Sequence, residues 1–198
     1  MPPNLSRRPI NPWHLADDQD EGAMWLAWLI RLRWLAIIAQ TVTLSFTFMV
    51  LDQPTIVLPV LVLAIIALAA ANLTSLRLLE SRTHIPQEWL LGEILIDILV
   101  LTVFFACSGG ANNPFVMLYV IHTAMAAVMM RNAYAIVVMA IVALANVGLH
   151  AWHLPLHLER HSVTAPMLMS FGQTIALTVT VISVGMFVMG MSDRKSVV

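Results

Sequence analysis

Six stretches of 16 or more mostly apolar residues, starting near Trp34, Ile56, Leu90, Phe115, Ala133 and Ala165, follow one another with only short polar breaks. Each is close to the ~20 residues that take an α-helix across the hydrocarbon core of a bilayer. Composition agrees: 60% of residues are hydrophobic and 11% charged, with mean hydropathy +0.85, against roughly 25% charged in soluble domains. Lipid offers backbone amides no hydrogen-bond partners, so a spanning segment must be a helix or part of a closed barrel. The runs lack the strict alternation and ~10-residue length of barrel strands. The expected fold is all-α, a polytopic membrane protein built as a six-helix transmembrane bundle.

Orientation follows from the basic residues. Six spans place the N-terminal arm, the second and fourth connections and the C-terminus on one side of the membrane. That side receives Arg7, Arg8, Arg31, Arg33, Arg77, Arg82, Arg131, Arg194 and Lys195, and the other keeps Arg160. Cytoplasmic loops are enriched in Lys and Arg, so both termini are expected in the cytoplasm and the protein in the bacterial inner membrane. Trp25, Trp28, Trp34 and Trp89 fall near the inner boundary and Trp152 near the outer one, as interfacial indoles do.

Residues 1–22 are polar, carry Asp17, Asp18, Asp20 and Glu21, and show no short apolar core with a small-residue cleavage site, so a cytoplasmic arm is expected rather than a signal peptide. Ala23 to Arg33 is expected to form an interfacial helix running into the first span. The membrane bundle covers 23–191, and 192–198 begins a cytoplasmic linker. Pro86 can open the third helix. The loop His153 to Pro166 is the longest outer connection and too short for a domain, so the stimulus is expected to dissolve in the membrane or act within it. Cys107 is the lone cysteine, which excludes an intrachain disulfide.

Between the third and fourth spans the chain reads Gly109-Gly110-Ala111-Asn112-Asn113-Pro114-Phe115. The glycines can take the left-handed conformation that ends a helix, Asn113 is a good N-cap, and Pro114 suits a first helical turn. A tight turn explains most of the heptad. A helix N-terminus also presents free N–H groups able to hold a carbonyl or anion, with Asn112 adding an amide and Phe115 a stacking face.

Glu93 and Asp97 lie four residues apart on one face of the third helix. Intramembrane ionisable groups usually face a bundle interior or water. Glu93, one turn from Trp89, can reach the inner headgroups. Asp97 is deeper, and helical rise puts it near the level of His122 on the fourth helix; an Asp97–His122 pair would be a proton relay or a bundle-stabilising hydrogen bond. His150, His153, His157 and His161 recur at helical spacing suited to Zn²⁺ or Cu²⁺, but Pro155 interrupts them and outer-loop histidines are readily solvated, so no metal is expected. Gln40, Asn72, Asn146 and Gln173 set one amide in each of four spans, where such groups more often bond between helices than to ligand. The 13 Met residues read as adaptable packing.

All five fixed positions of the heptad match Gly-Gly-x-x-Asn-Pro-Phe, so this hinge resembles the quinone-binding motif of the RegB/PrrB family of redox-sensing histidine kinases. The run Arg31-Leu32-Arg33-Trp34-Leu35-Ala36 with Gln40, and His153-Leu154-Pro155-Leu156, are also similar to that family. The resemblance implies a two-component phosphorelay in which quinone, ubiquinone or menaquinone, binds at Gly109, Gly110, Asn112, Asn113, Pro114 and Phe115 and biases a homodimeric kinase acting on a response regulator. The implied partners are membrane lipid and the quinone pool, not nucleic acid. Residues 1–198 include no kinase domains, so no catalytic residues are expected here, and the chain is expected to be an excised sensor region or a truncated relative. The alternative is a membrane electron carrier or a haem- or quinone-dependent enzyme subunit using Asp97, Glu93 and His122.

Overall fold

The third spanning helix is the axis around which the others gather. The structure, a computed structural model, describes residues 21–50, 57–81, 85–154 and 165–195. Its six helices are α1 Glu21–Val50, α2 Val57–Ser81, α3 Gln87–Ala106, α4 Tyr119–Met129, α5 Asn132–Ala151 and α6 Ala165–Lys195. α1, α2, α4 and α5 all touch α3, while α6 packs on α4 and on the segment leading into it. Among the described residues there is no strand.

Five of the helices are long and apolar enough to cross a bilayer; the sixth segment, Pro114–Met129, is shorter. It gains length from its backbone. Pro114–Leu118 is a 3-10 helix of 5 residues preceding the 11-residue α4, and 3-10 geometry rises about 2.0 Å per residue against 1.5 Å in an α-helix. The segment therefore extends to roughly 26 Å, close to a ~30 Å hydrocarbon core.

α1 departs from expectation. Ala23 to Arg33 is not a separate helix; it is the first third of one continuous 30-residue helix. Ala23, Leu26, Ala27 and Ile30 recur at the spacing of a single helical face and are buried in the main core with Leu79, Ile85, Leu90 and Met129. Gly22 lets the chain come that close, since a Cβ there would run into the Ile85 carbonyl oxygen. Because lipid is as apolar as Leu, such packing holds through close fit and polar contacts rather than a hydrophobic driving force.

Polar contacts mark the same end of the bundle. The Arg131 backbone N–H donates to Gln87 Oε1 at 3.1 Å, and the Tyr134 hydroxyl donates to Glu88 Oε1 at 2.7 Å. Pro86 sits immediately before α3 as its N-cap. The starts of α1 and α3 and the α4–α5 joint therefore share one end, and the α3–α4 hinge with residues 153–154 occupies the other. This up-and-down order predicts that, in a Cys107→Ser background, Ser81→Cys and Trp152→Cys react with an impermeant thiol reagent from opposite faces of sealed vesicles. Labelling of both from one face would break the six-span order.

Candidate functional site

At the hinge each motif residue has a visible local task. α3 ends at Ala106, and Gly109 and Gly110 take φ values of 99° and 63°, a region costly for residues with a Cβ. Gly110 is doubly constrained, because a Cβ would overlap the His153 ring. Two backbone bonds tie the end of α3 and the hinge to Leu154, just past α5: Gly109 N–H donates to Leu154 O at 3.0 Å and Leu154 N–H to Ala106 O at 2.7 Å. Asn113 is the N-cap of the 3-10 segment, as its residue type foretold. Its Oδ1 accepts from Phe115 N–H at 2.9 Å, while Nδ2 donates to Ser108 O and Oγ at 2.8 and 2.7 Å.

These bonds change the expected chemistry of the hinge. The amides after Pro114 are not free to hold an anion or carbonyl: Phe115 N–H is spent on Asn113 Oδ1 and Val116 N–H on Asn113 O. The short 3-10 geometry closes its own first turn. Asn112 is exposed.

Beneath the hinge lies a partly open cavity of about 340 Å³ lined by α1, α2, the end of α3, Asn113–Phe115 and α6. Its size is within the ~300–1,000 Å³ of typical small-molecule sites. The walls are almost wholly apolar, and Phe46, Phe48, Phe104, Phe115 and Phe171 supply five of the chain's seven phenylalanines. Asn113, Pro114 and Phe115 line it; Gly109, Gly110 and Asn112 shape the turn without reaching it, and Asp97 and His122 lie elsewhere. Cys107 and Ser108 form the polar rim beside Asn113. Burial pushes the Cys107 thiol up from its ordinary value, which leaves it protonated rather than a reactive thiolate at neutral pH. Opposite the hinge, Gly172 of α6 fits against Pro114 so closely that a Cβ would stand 2.7 Å from Pro114 Cγ. Gly172, Ala176 and Thr180 make the buried stripe of α6, so the last helix rests directly on the motif.

A second constellation lies deeper. Arg33 of α1, 2% exposed, donates from Nε to Asp97 Oδ1 at 2.6 Å and from Nη1 to Glu93 Oε2 at 2.7 Å. Nη1 also reaches Ser75 Oγ at 3.3 Å, and Nη2 the Glu93 carbonyl at 3.1 Å. Asn72, one turn before Ser75, donates to Ile30 O at 3.2 Å, the interhelical role expected of such an amide. Two expectations are corrected here. Glu93 does not reach for headgroups, and the direct partner of Asp97 is Arg33 rather than His122. A carboxylate pair in a low-dielectric interior requires a cation, and Arg33 is the one that helix packing delivers. The sequence signal was available: two acids one turn apart on a spanning helix demand a base, and Arg33 sits at the very start of an apolar run.

His122 faces this cluster from α4. Its Nδ1 is bonded to Leu118 O at 3.2 Å, and it lies within electrostatic range of Asp97. The 3-10 rise before α4 sets it ~2.5 Å deeper than a regular helix would, toward the level of Asp97. His150 and His153 are each turned back onto their own helix, 2.9 Å from Asn146 O and Leu149 O; His157 and His161 fall outside the described residues. No group of three metal-ligating side chains comes together among the described residues.

The comparison with protein families matches residues 14–195 to the model of a PilS-like transmembrane domain with six spans. The chain belongs to the PilS-like transmembrane domain family. PilS is a sensor histidine kinase with a six-span membrane domain, so membership supports a sensor-kinase membrane domain. No curated protein and no solved structure matches the chain. In this PilS-like domain the Arg33 cluster joins three helices, and that predicts its mutational pattern. Arg33→Met leaves two buried carboxylates unpaired and should cost about 3–5 kcal/mol, read as a lower melting temperature in detergent. Combining it with Glu93→Gln and Asp97→Asn should restore most of the loss. A triple variant as unstable as Arg33→Met would mean that the ion pairs are not what the helices depend on.

Proposed function

We propose that this PilS-like domain is the membrane sensor of a two-component histidine kinase, and that it binds a quinone in the cavity under the α3–α4 hinge. The observation that carries the reading is the cavity itself: about 340 Å³, walled by five phenylalanines, with Asn113, Pro114 and Phe115 on one side and α6 on the other. A flat ring stacks favourably on aromatic faces, and a prenyl tail suits an apolar wall. The N–H groups of Phe115 and Val116 are already engaged, so shape and stacking hold the ring, with Ser108, Asn113, Cys107, Thr43 and Thr47 as its polar neighbours. The match of Gly109–Phe115 to the RegB/PrrB motif supports the same ligand class.

Transmission follows from contact. A ligand shifts an equilibrium only by its differential affinity for two arrangements, and here a ring against Phe115 and Phe171 touches hinge and α6 together. Because Gly172 rests on Pro114, displacement of either moves α6, whose end leads to cytoplasmic kinase domains and through them to a response regulator. The full system would be a homodimer in the inner membrane with both termini cytoplasmic. The rival reading, an electron carrier or redox enzyme subunit, draws little support from Glu93 and Asp97, which are turned onto Arg33.

Organic extraction of the purified protein should release a stoichiometric quinone, and Phe115→Ala should weaken quinone binding about tenfold or more while leaving the melting temperature near the parent's. Asn113→Ala should lower affinity and also cost roughly 1 kcal/mol through the lost cap. Parent-like binding in both variants would reduce the heptad to a turn.

A further inference from the structure

The polar atoms around the hinge cavity form a chain in which each bond fixes the next. A backbone N–H only donates, so Asn113 must turn its Oδ1, not its amide nitrogen, to Phe115 N–H at 2.9 Å. That orientation sets Nδ2 on Ser108, where it donates to the carbonyl at 2.8 Å and to Oγ at 2.7 Å. Ser108 Oγ is thereby an acceptor on that side, and its own hydrogen goes to Phe104 O at 2.6 Å. On the α1 wall the Thr47 hydroxyl donates to Thr43 O at 2.7 Å. The backbone behaves alike: the N–H groups of Cys107, Ser108, Asn113 and Phe115 all end on acceptors of this chain.

The wall that results is lopsided. Thr43, Thr47, Cys107, Ser108 and Asn113 give the cavity its polar lining, and the side-chain hydrogens of Thr47, Ser108 and Asn113 are engaged. Acceptor capacity remains, because a carboxamide oxygen and a hydroxyl oxygen each have two lone pairs. Asn113 Oδ1, Ser108 Oγ and Thr47 Oγ1 can each take a further hydrogen. The donors that remain are the Cys107 thiol, a weak one, and the hydroxyl of Thr43, an exposed residue. The two redox forms of a quinone ask opposite things of such a wall. The oxidised ring carries two carbonyls, which only accept; the quinol carries two hydroxyls, which donate. A carbonyl set against lone pairs leaves both sides unpaired, whereas a hydroxyl satisfies itself and the wall together.

We propose that the hinge cavity selects the reduced, quinol form of its ligand, whose O–H groups donate to Asn113 Oδ1 and Ser108 Oγ, while the oxidised ring is held by stacking alone. This rests on the reading of the cavity as a quinone site and names the form that the site takes. No electron passes through it: the quinol arrives from the bilayer already reduced and leaves unchanged. One or two neutral hydrogen bonds made by the quinol and not by the quinone amount to about tenfold in affinity. A tenfold preference raises the midpoint potential of the bound two-electron couple by about 30 mV over that of the free couple. Occupancy therefore rises as the pool is reduced, and α6, whose Gly172 rests on Pro114, meets a filled cavity under reducing conditions.

The test is anaerobic binding to the full chain in lipid nanodiscs of a short-tailed benzoquinone and a short-tailed naphthoquinone, each offered as the oxidised ring and as its quinol. The quinol of at least one ring should bind about tenfold more tightly than its oxidised partner. Ser108→Ala removes an acceptor and releases an Asn113 amide hydrogen toward the cavity, so it should cut that preference to about threefold or less. A merely structural loss weakens both forms alike and leaves their ratio unchanged. Thr43→Val takes away the remaining hydroxyl donor and should keep the preference at about tenfold or more. Equal binding of the two forms, or tighter binding of the oxidised one, overturns the selection and leaves the quinone site standing. So does a ratio that Ser108→Ala does not move or that Thr43→Val abolishes. Binding of neither form of either ring overturns the quinone site, and the selection with it.

Discussion

A guanidinium buried in a membrane bundle dictates what may stand beside it. Arg33 can stay charged only because Glu93 and Asp97 meet it at 2.7 and 2.6 Å, and those carboxylates can stay in the interior only because Arg33 is there. Hydrocarbon supplies no competing water, and apolar side chains are as content with lipid as with one another. The ion pairs and the Ser75 and Asn72 bonds therefore specify which faces of α1, α2 and α3 meet. Once that unit is set, α3 becomes the surface on which α4 and α5 complete the main core, through Ile94, Ile98, Phe105, Tyr119, Ala126 and Val138.

The hinge is the counterpart at the other end. There the helices are joined by covalent continuity and backbone hydrogen bonds, with no charge involved. Two left-handed glycines turn the chain, Asn113 closes the turn from both sides, and Leu154 pairs with Gly109 and Ala106. The result is a rigid rim over an aromatic cavity, and α6 touches that rim at Gly172. Rim, cavity and α6 share one contact surface, Pro114 and Phe115 on one side and Gly172 on the other. The charged cluster sits on α3 and the hinge follows its end, with the Pro114–Leu118 segment leading on into α4.

Much of this architecture was legible residue by residue. Six apolar runs are enough for an all-α bundle, because only length and the absence of backbone partners in lipid enter that argument. Asn113 as a cap, Pro114 at the start of a turn and the two glycines as helix terminators follow from conformational preferences that act over a few residues. Glu93 and Asp97 could be placed on one face for the same reason. What sequence alone determined was thus everything governed by local backbone energetics and by the solvent the chain must cross.

Tertiary structure decided the pairings. Arg33 and Asp97 are 64 residues apart, and no periodicity says that α1 turns its Arg33 face toward α3 rather than toward headgroups. The sequence count of basic residues gave Arg33 a side of the membrane and no partner. Likewise the free amides expected after Pro114 vanished because a 3-10 turn spends them internally, a choice of helix type too finely balanced to read from residue preferences. The cavity came from five phenylalanines on four separate segments, brought to one place only by the crossing of α1, α3 and α6. Interactions local in the chain are written in its order; interactions local in space had to wait for the fold, because in a membrane the faces that meet are selected by a few buried polar contacts and not by hydrophobicity.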